Sequence, residues 1–533
     1  MELDEDLEQL ITKKKISRRR FIRQATALGL SVGGGALLAP YAPAVTKVIA
    51  APPLKKSRIV VGLGGEPASL DRNAVENALG FNLYGAIYNF LVKAGPNGEI
   101  QPSLATEWRQ INDLTMEFKL RKGVKFHNGE EFDAQAVHDT ITTGVLADPP
   151  GSIKTRLLPV DRVDIIDKYT LRVHSKSRFV TLLAGLTTAA MYPPAYYKRV
   201  GPRGFAAAPV GTGPFKLKEW KRGVSITLEK FDNYWGPKAK IDEVVWQFYP
   251  ETAGRLAALE TGEIALAALV SPDDIKRLKA KGFEIVSSPI GAGMTLQFVP
   301  RRDERLKDKR VRQAFAYAID LDEIVNSLLL GWEKKLNGQC TGPDGFGYNP
   351  NLKAYPHDPE RAKKLLAQAG YPKGFSIKMI SSEGRYIKQK ELGELLAGQL
   401  AKVGINVELN HLEWTAMENK ILASLDPDPL YYWAWNYFPA MDADFWMQHY
   451  MCDSPFKTYC DPRFDQLFAK SRQELDRNKR RKLLQQLAAL MREECPAVWL
   501  YQRSDIWAVN RRVKGLRPSA ENVLYLDRAY VEQ

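Results

Sequence analysis

Residues 431–438 read YYWAWNYF, the densest aromatic run of the chain, with Trp435 inside it. Trp414 directly follows Glu413 at the end of an alternating apolar stretch. Flat amphipathic rings offer a large contact area with few rotatable bonds, which suits a cleft that encloses varied small molecules. These residues hold rather than transform. Gly62-x-Gly64-Gly65 lacks the spacing of a phosphate loop, and the following Pro67 and Asp71 argue against an immediate helix. The six histidines (127, 138, 174, 357, 411 and 449) are scattered, with His411 near Glu413 as the one pair of interest. No CxxC or Cys/His cluster suggests zinc or an iron–sulfur group, so no metal centre and no cofactor are expected.

A second informative stretch is SRRRFIR (17–23), in which Arg18 and Arg19 form a tandem pair. A modestly apolar, glycine-diluted run from Ala25 to Ala39 follows, then small-residue sites ending at Ala44 or Ala50. Basic, apolar and small, in that order, is a removable export signal, and the paired arginines make it the twin-arginine type. The apolar run falls short of the roughly 20 residues that span a bilayer. Residues 1–50 are therefore expected to be a cleaved signal peptide handled by the twin-arginine translocase. With no lipidation cysteine behind it, the mature protein is expected to diffuse freely in the periplasm.

The chain has 533 residues, 45% apolar and 26% charged, enough for large cores. The net charge is +14; residues 1–50 account for three of these (eight Lys/Arg against five Asp/Glu), leaving +11. Such a surface attracts acidic ligands or simply favours solubility. No basic stripe interleaved with aromatics appears, so nucleic acid is not an expected partner. Four cysteines, 340, 452, 460 and 495, allow three pairings in an oxidising compartment. Cys452 and Cys460 bracket a short loop and are the first candidates.

The elements that must position these residues are mixed along the chain. Ile59 to Leu63 reads as a strand, and residues 114–126 alternate as a strand pair before the turn signal Asn128-Gly129. Asp133 caps a helix from about Ala134. Alternation returns at 214–230, and a helix over Thr252 to Thr261 closes on Gly262. Val311, Ala314, Phe315 and Ala318 mark an amphipathic helix, in which Arg310 and Arg312 are expected to be solvated or salt-bridged. Asp320 and Glu323 form a capping-box pattern. Strands at 376–380 and 405–409 flank a helical face from Leu392 to Val403, a βαβ unit. Two helices fill 462–494, and Ala497 to Tyr501 is a strand. The whole reads as a large α/β protein.

Several blocks match one family in consistent order: LATEW (104–108), FKLRKGVKFHNGEEFDAQAV (118–137), GTGPFKLKEW (211–220), NYW (233–235), DKRVRQAFAYAIDLDEIV (308–325), LAKVGINVEL (400–409) and EWTAM (413–417). On these the chain resembles the extracytoplasmic solute-binding proteins of peptide/nickel-type ABC transporters, family 5. The resemblance implies a bilobal fold of two hinge-linked α/β lobes with an extra subdomain. Mapped here, lobe I takes 58–85, 208–290 and 503–533, the extra subdomain 86–207 and lobe II 291–502, with crossings near Met294 and Arg503. It implies a monomer that is not an enzyme, binding a peptide, opine, sugar or chelate and delivering it to an ABC permease and ATPase complex.

The resemblance also implies site residues. The loop with Thr212 and Gly213 borders the cleft. Trp414 and Trp435 match cleft-lining tryptophans, with Glu413 alongside. Arg385 lies near an arginine that pairs with the ligand carboxylate. Peptide binders place an aspartate three residues after the cleft tryptophan to hold the ligand's ammonium; here that position is Phe438. Asp442, Asp444 and Glu413 are the nearby acids that a shift of register would bring into that role. Enclosing an ammonium without its counter-charge costs several kcal/mol, against about 0.5–2 kcal/mol from a cation–π contact. Ordinary free-amine peptides are therefore not the expected ligands. The competing readings are an enzyme exported in folded form and a ligand sensor on the same scaffold.

Overall fold

The computed structural model describes residues 57–74, 78–95, 99–146, 153–383, 385–438 and 441–532. The expected signal peptide, with Arg18 and Arg19, lies outside the described residues.

An eleven-stranded sheet organises the protein. One half contains Arg58–Leu63 between Glu243–Phe248 and Leu266–Ala267, with both pairings parallel, and is extended by Ser225–Lys230 and Phe215–Lys221. The other half carries Phe375–Glu383 between Ile405–Glu413 and Leu430–Asn436, again parallel. Two long antiparallel strands, Phe283–Phe298 and Ala497–Asn510, run through both halves. Their pairing is regular from Phe283↔Asn510 to Pro289↔Ser504, breaks, and resumes at Gly293↔Gln502. Proline at 289 cannot donate to the ladder, which is one reason for a break there.

The βαβ unit forms as its periodicity indicates: Phe375–Glu383, the helix Gln389–Ala401 and Ile405–Glu413, with Phe375↔Ile405 through Glu383↔Glu413 in register. Gly404, at φ 89°, makes the turn into the second strand. The helix Thr252–Thr261 ends on Gly262 at φ 76°. Asp133 accepts from the N–H groups of Gln135 and Ala136, and Asp320 from those of Asp322 and Glu323. Arg310 pairs with Asp308; Arg312 is buried, lies 3.9 Å from the Glu494 carboxylate and donates to the carbonyls of Leu306, Lys307, Glu494 and Cys495.

Two elements differ from their local pattern. Residues 114–126 do not pair with themselves. Thr115–Leu120 pairs with Ala105–Asn112 and Thr170–Ser175 in a separate four-stranded sheet completed by Val160–Asp167. Beyond Gly123 (φ 74°) there is a single bridge, Lys125↔Glu131, across the turn at Gly129. The strand expected at Ala497 to Tyr501 continues to Asn510, because its second part finds a partner in Phe283–Pro289. The four-stranded sheet covers its own apolar core, including Phe118, Phe126, Val137 and Leu171. A further core lies between the helix Lys309–Ala318 and the βαβ unit, around Phe315, Met379, Leu396 and Leu430.

Candidate functional site

Arg385 and Tyr386 follow the strand Phe375–Glu383, and a polar knot fixes their backbone. The Gln389 carboxamide accepts from both their N–H groups, at 3.2 and 3.1 Å. Tyr432 Oη donates to the Gln389 carbonyl at 2.8 Å and lies 2.9 Å from Ser381 Oγ. With its backbone held, the Tyr386 ring becomes a hub. Trp414 meets it edge-on at 5.3 Å and stacks on Trp433 at 4.9 Å. The Arg385 guanidinium lies 5.3 Å from the ring centroid and that of Arg503, from the long strand Ala497–Asn510, 4.7 Å.

Acidic groups surround the two arginines. Asp505, two residues along the same strand, is buried, and the Asn522 carboxamide, turned nitrogen-first, donates to it. Glu333 is buried beside Ser504, and Glu418 is half-buried nearby. Burial raises the carboxyl pKa of all three above the ordinary range. Burial, and then the neighbouring Arg503 charge, lower Arg385 to about 10. The cluster is therefore costly to keep fully charged without further partners.

Trp435 stacks on His449 at 4.0 Å and meets Phe456 edge-on at 5.0 Å, two positions along the strand from Trp433. Phe438 is buried edge-on against Phe81, 5.2 Å between ring centres. The two rings line a cavity of about 30 Å³ with Arg72, Tyr84 and Glu521, room for about one water molecule. Asp442 and Asp444 face away from any such role: Arg480 holds Asp442 and Arg472 holds Asp444 in buried ion pairs. Glu413 is exposed and accepts from the Ala416 N–H.

The loop with Thr212 and Gly213 is packed under the segment Phe81–Ile87. A Cβ on Gly213 would lie 2.4 Å from the Ala86 carbonyl oxygen, so only glycine fits. His127 clamps the loop, its Nε2 donating to the Gly213 carbonyl and its Nδ1 accepting from the Gly211 N–H. Thr212 is fully buried. Of the residues singled out by sequence, the structure thus gathers Arg385 and Trp414 in one cluster. It puts Trp435 and Phe438 in separate aromatic contacts, with His449 and Phe456 and with Phe81, and Thr212 and Gly213 in a supporting turn. Sequence reading did not identify Tyr386, Arg503, Glu333 and Asp505 as site residues. A signal for two of them existed: Arg503 and Asp505 are charges at i and i+2 in a strand otherwise rich in apolar residues.

Cys452 and Cys460 are joined by a disulfide, while Cys340 and Cys495 are buried thiols. Among the described residues no cluster of three His, Cys, Asp or Glu is placed to hold a metal ion, and no helix is long and apolar enough to cross a membrane.

Comparison with known proteins places this geometry. Residues 99–456, well over half of the chain, match the sequence model for bacterial extracellular solute-binding proteins, family 5. The dipeptide-binding protein of Escherichia coli K12 is 28% identical over 474 residues, covering 80% of this chain and 86% of its own. Two solved structures superpose on 89% of the chain. One is the periplasmic binding protein DppA from Helicobacter pylori in complex with the peptide STSA (26% identity, TM-score 0.80, 98% of that chain). The other is the binding protein AgaA of A.tumefacien R10 in complex with agropinic acid (27%, TM-score 0.78, 99% of that chain).

Proposed function

Because the chain belongs to the bacterial extracellular solute-binding proteins of family 5, we propose that it is the solute-binding component of an ABC importer, capturing a small solute between two lobes and delivering it to the permease and its ATPases. The family is solute-binding rather than catalytic. The observation that carries the reading is the pair of long strands whose register breaks between Pro289 and Gly293. A ladder interrupted where two halves of a sheet meet can absorb the dihedral changes of hinge closure. In this reading residues 58–85, 208–290 and 503–533 form lobe I, 86–207 its subdomain and 291–502 lobe II.

Arg385 and Trp414 meet the solute directly. Trp435, Phe438 and Glu413 shape the neighbouring wall, and the turn at Thr212 and Gly213 supports the opposite one. The ligands named for two relatives, the peptide STSA and agropinic acid, support a small, polar solute bearing carboxylates. Replacement of the expected aspartate by Phe438, with Asp442 and Asp444 committed to arginines, disfavours free-amine peptides. Residues 1–50 serve as a twin-arginine export signal, and the mature protein works in the periplasm.

The test is native mass spectrometry of the protein purified from its own host, followed by X-ray scattering with and without the molecule recovered. A co-purified solute and a smaller radius of gyration on rebinding are expected. An unchanged shape, or conversion of the solute to product, would refute the reading.

A further inference from the structure

Arg385 and Arg503 are 6% and 4% exposed, yet neither guanidinium makes a hydrogen bond or ion pair with any described residue, and Arg385 Nε is entirely shielded. Three other deeply buried arginines are held by acceptors. Arg480 pairs with Asp442, Arg312 donates to four carbonyls, and Arg255 is held by the Ala268 and Tyr249 carbonyls and by Thr252. A guanidinium withdrawn from water without acceptors is strongly disfavoured. Two that approach one ring, at 5.3 and 4.7 Å from the Tyr386 centroid, add mutual repulsion. Such a pair persists where something else completes it.

We propose that Arg503 is a second anion-binding arm acting with Arg385, and that the solute is an organic acid presenting two acidic groups to this pair. The proposal rests on the solute-capture reading above and names the chemical class of its ligand. Two guanidiniums offer ten N–H donors, whereas one ionised carboxylate has about four acceptor positions. A single carboxylate therefore leaves donors unfilled and one positive charge uncompensated. The surrounding acids do not make up the difference. Asp505 accepts from Asn522, burial works against the charged forms of Asp505, Glu333 and Glu418 although the two arginine charges oppose it, and no described carboxylate lies within ion-pair distance of either guanidinium. Tyr386 and Trp414 supply the flat wall beside the paired charges.

The test uses the mature protein and a matched pair of probes, N-acetyl-alanyl-glutamate and N-acetyl-alanyl-glutamine, which differ by one negative charge at constant shape. Calorimetry is expected to show the glutamate form binding at least tenfold tighter. Arg503→Gln should reduce that gap to within twofold, chiefly by weakening the glutamate form, and Arg503→Lys should restore part of it. Equal affinities in the wild type, or a gap that survives Arg503→Gln, overturn the proposal. The molecule recovered from the host provides an independent readout: two or more acidic groups support it, and one or none overturns it. A one-acid solute whose binding still contracts the protein would sink the two-arginine assignment and leave the importer reading standing.

Discussion

Lys388 Nζ lies 2.6 Å from Asp273 Oδ2, joining the residue before the helix Gln389–Ala401 to the first turn of the helix Pro272–Ala280. The first helix belongs to the βαβ half of the sheet, and the second follows the strand Leu266–Ala267 of the other half. An ion pair between the halves exists only while they are together. Lys388 is largely covered but Asp273 is mostly exposed, so the pair contributes about 0.2–1 kcal/mol. Asp273→Ala is expected to weaken solute affinity up to about fivefold, with the difference vanishing in high salt. Calorimetry at two ionic strengths checks it.

Phe438→Asp tests the selection against ammonium groups. It places a carboxylate where Phe438 now meets Phe81, beside Arg72 and Glu521. The variant is expected to gain at least about tenfold for free-amine dipeptides over their N-acetylated forms, equivalent to about 1.4 kcal/mol. An unchanged preference would remove position 438 from the specificity argument.

His127 is expected to make the protein acid-sensitive. It clamps the loop by donating from Nε2 and accepting at Nδ1, which only the neutral ring can do. Burial lowers its pKa from 6.5 to about 4. Below pH 6.5 the unfolded chain takes up a proton that the folded chain refuses until about pH 4. This contribution to stability is therefore full above 6.5 and falls as pH drops toward 4, by about 1–3 kcal/mol. Thermal melts from pH 7.5 to 4 should show the decline, and His127→Asn should be less stable at pH 7 with a flatter profile.

The disulfide between Cys452 and Cys460 closes a short loop, for which loop-closure entropy gives about 2–3 kcal/mol. Cys452→Ser with Cys460→Ser should lower Tm accordingly. Burial raises the thiol pKa of Cys340 and of Cys495, the latter to about 12. A maleimide should label neither in the native protein, two thiols after denaturation, and four after denaturation with reduction.

Much of the scaffold was readable along the chain because its signals are local. Gly262 and Gly404 end helices where φ turns positive, Asp133 and Asp320 cap the next turns, and the apolar spacing from Leu392 to Val403 marks the helix of the βαβ unit. The ordered blocks from LATEW to EWTAM carried the family resemblance, which in turn pointed to Arg385, and the aromatic run stood out by residue type. Pairing partners were not readable. Thr115–Leu120 bonds to Thr170–Ser175 rather than to its own continuation, and Ala497–Asn510 gains its length from a partner more than 200 residues earlier. The same long-range register brings Arg503 to the ring that Arg385 adjoins. Sequence by itself determined the elements and the kind of residue available for binding, since capping, periodicity and chemistry depend on near neighbours. The tertiary structure alone decided which charges meet and which remain without partners, because burial and hydrogen bonding depend on segments far apart in the chain.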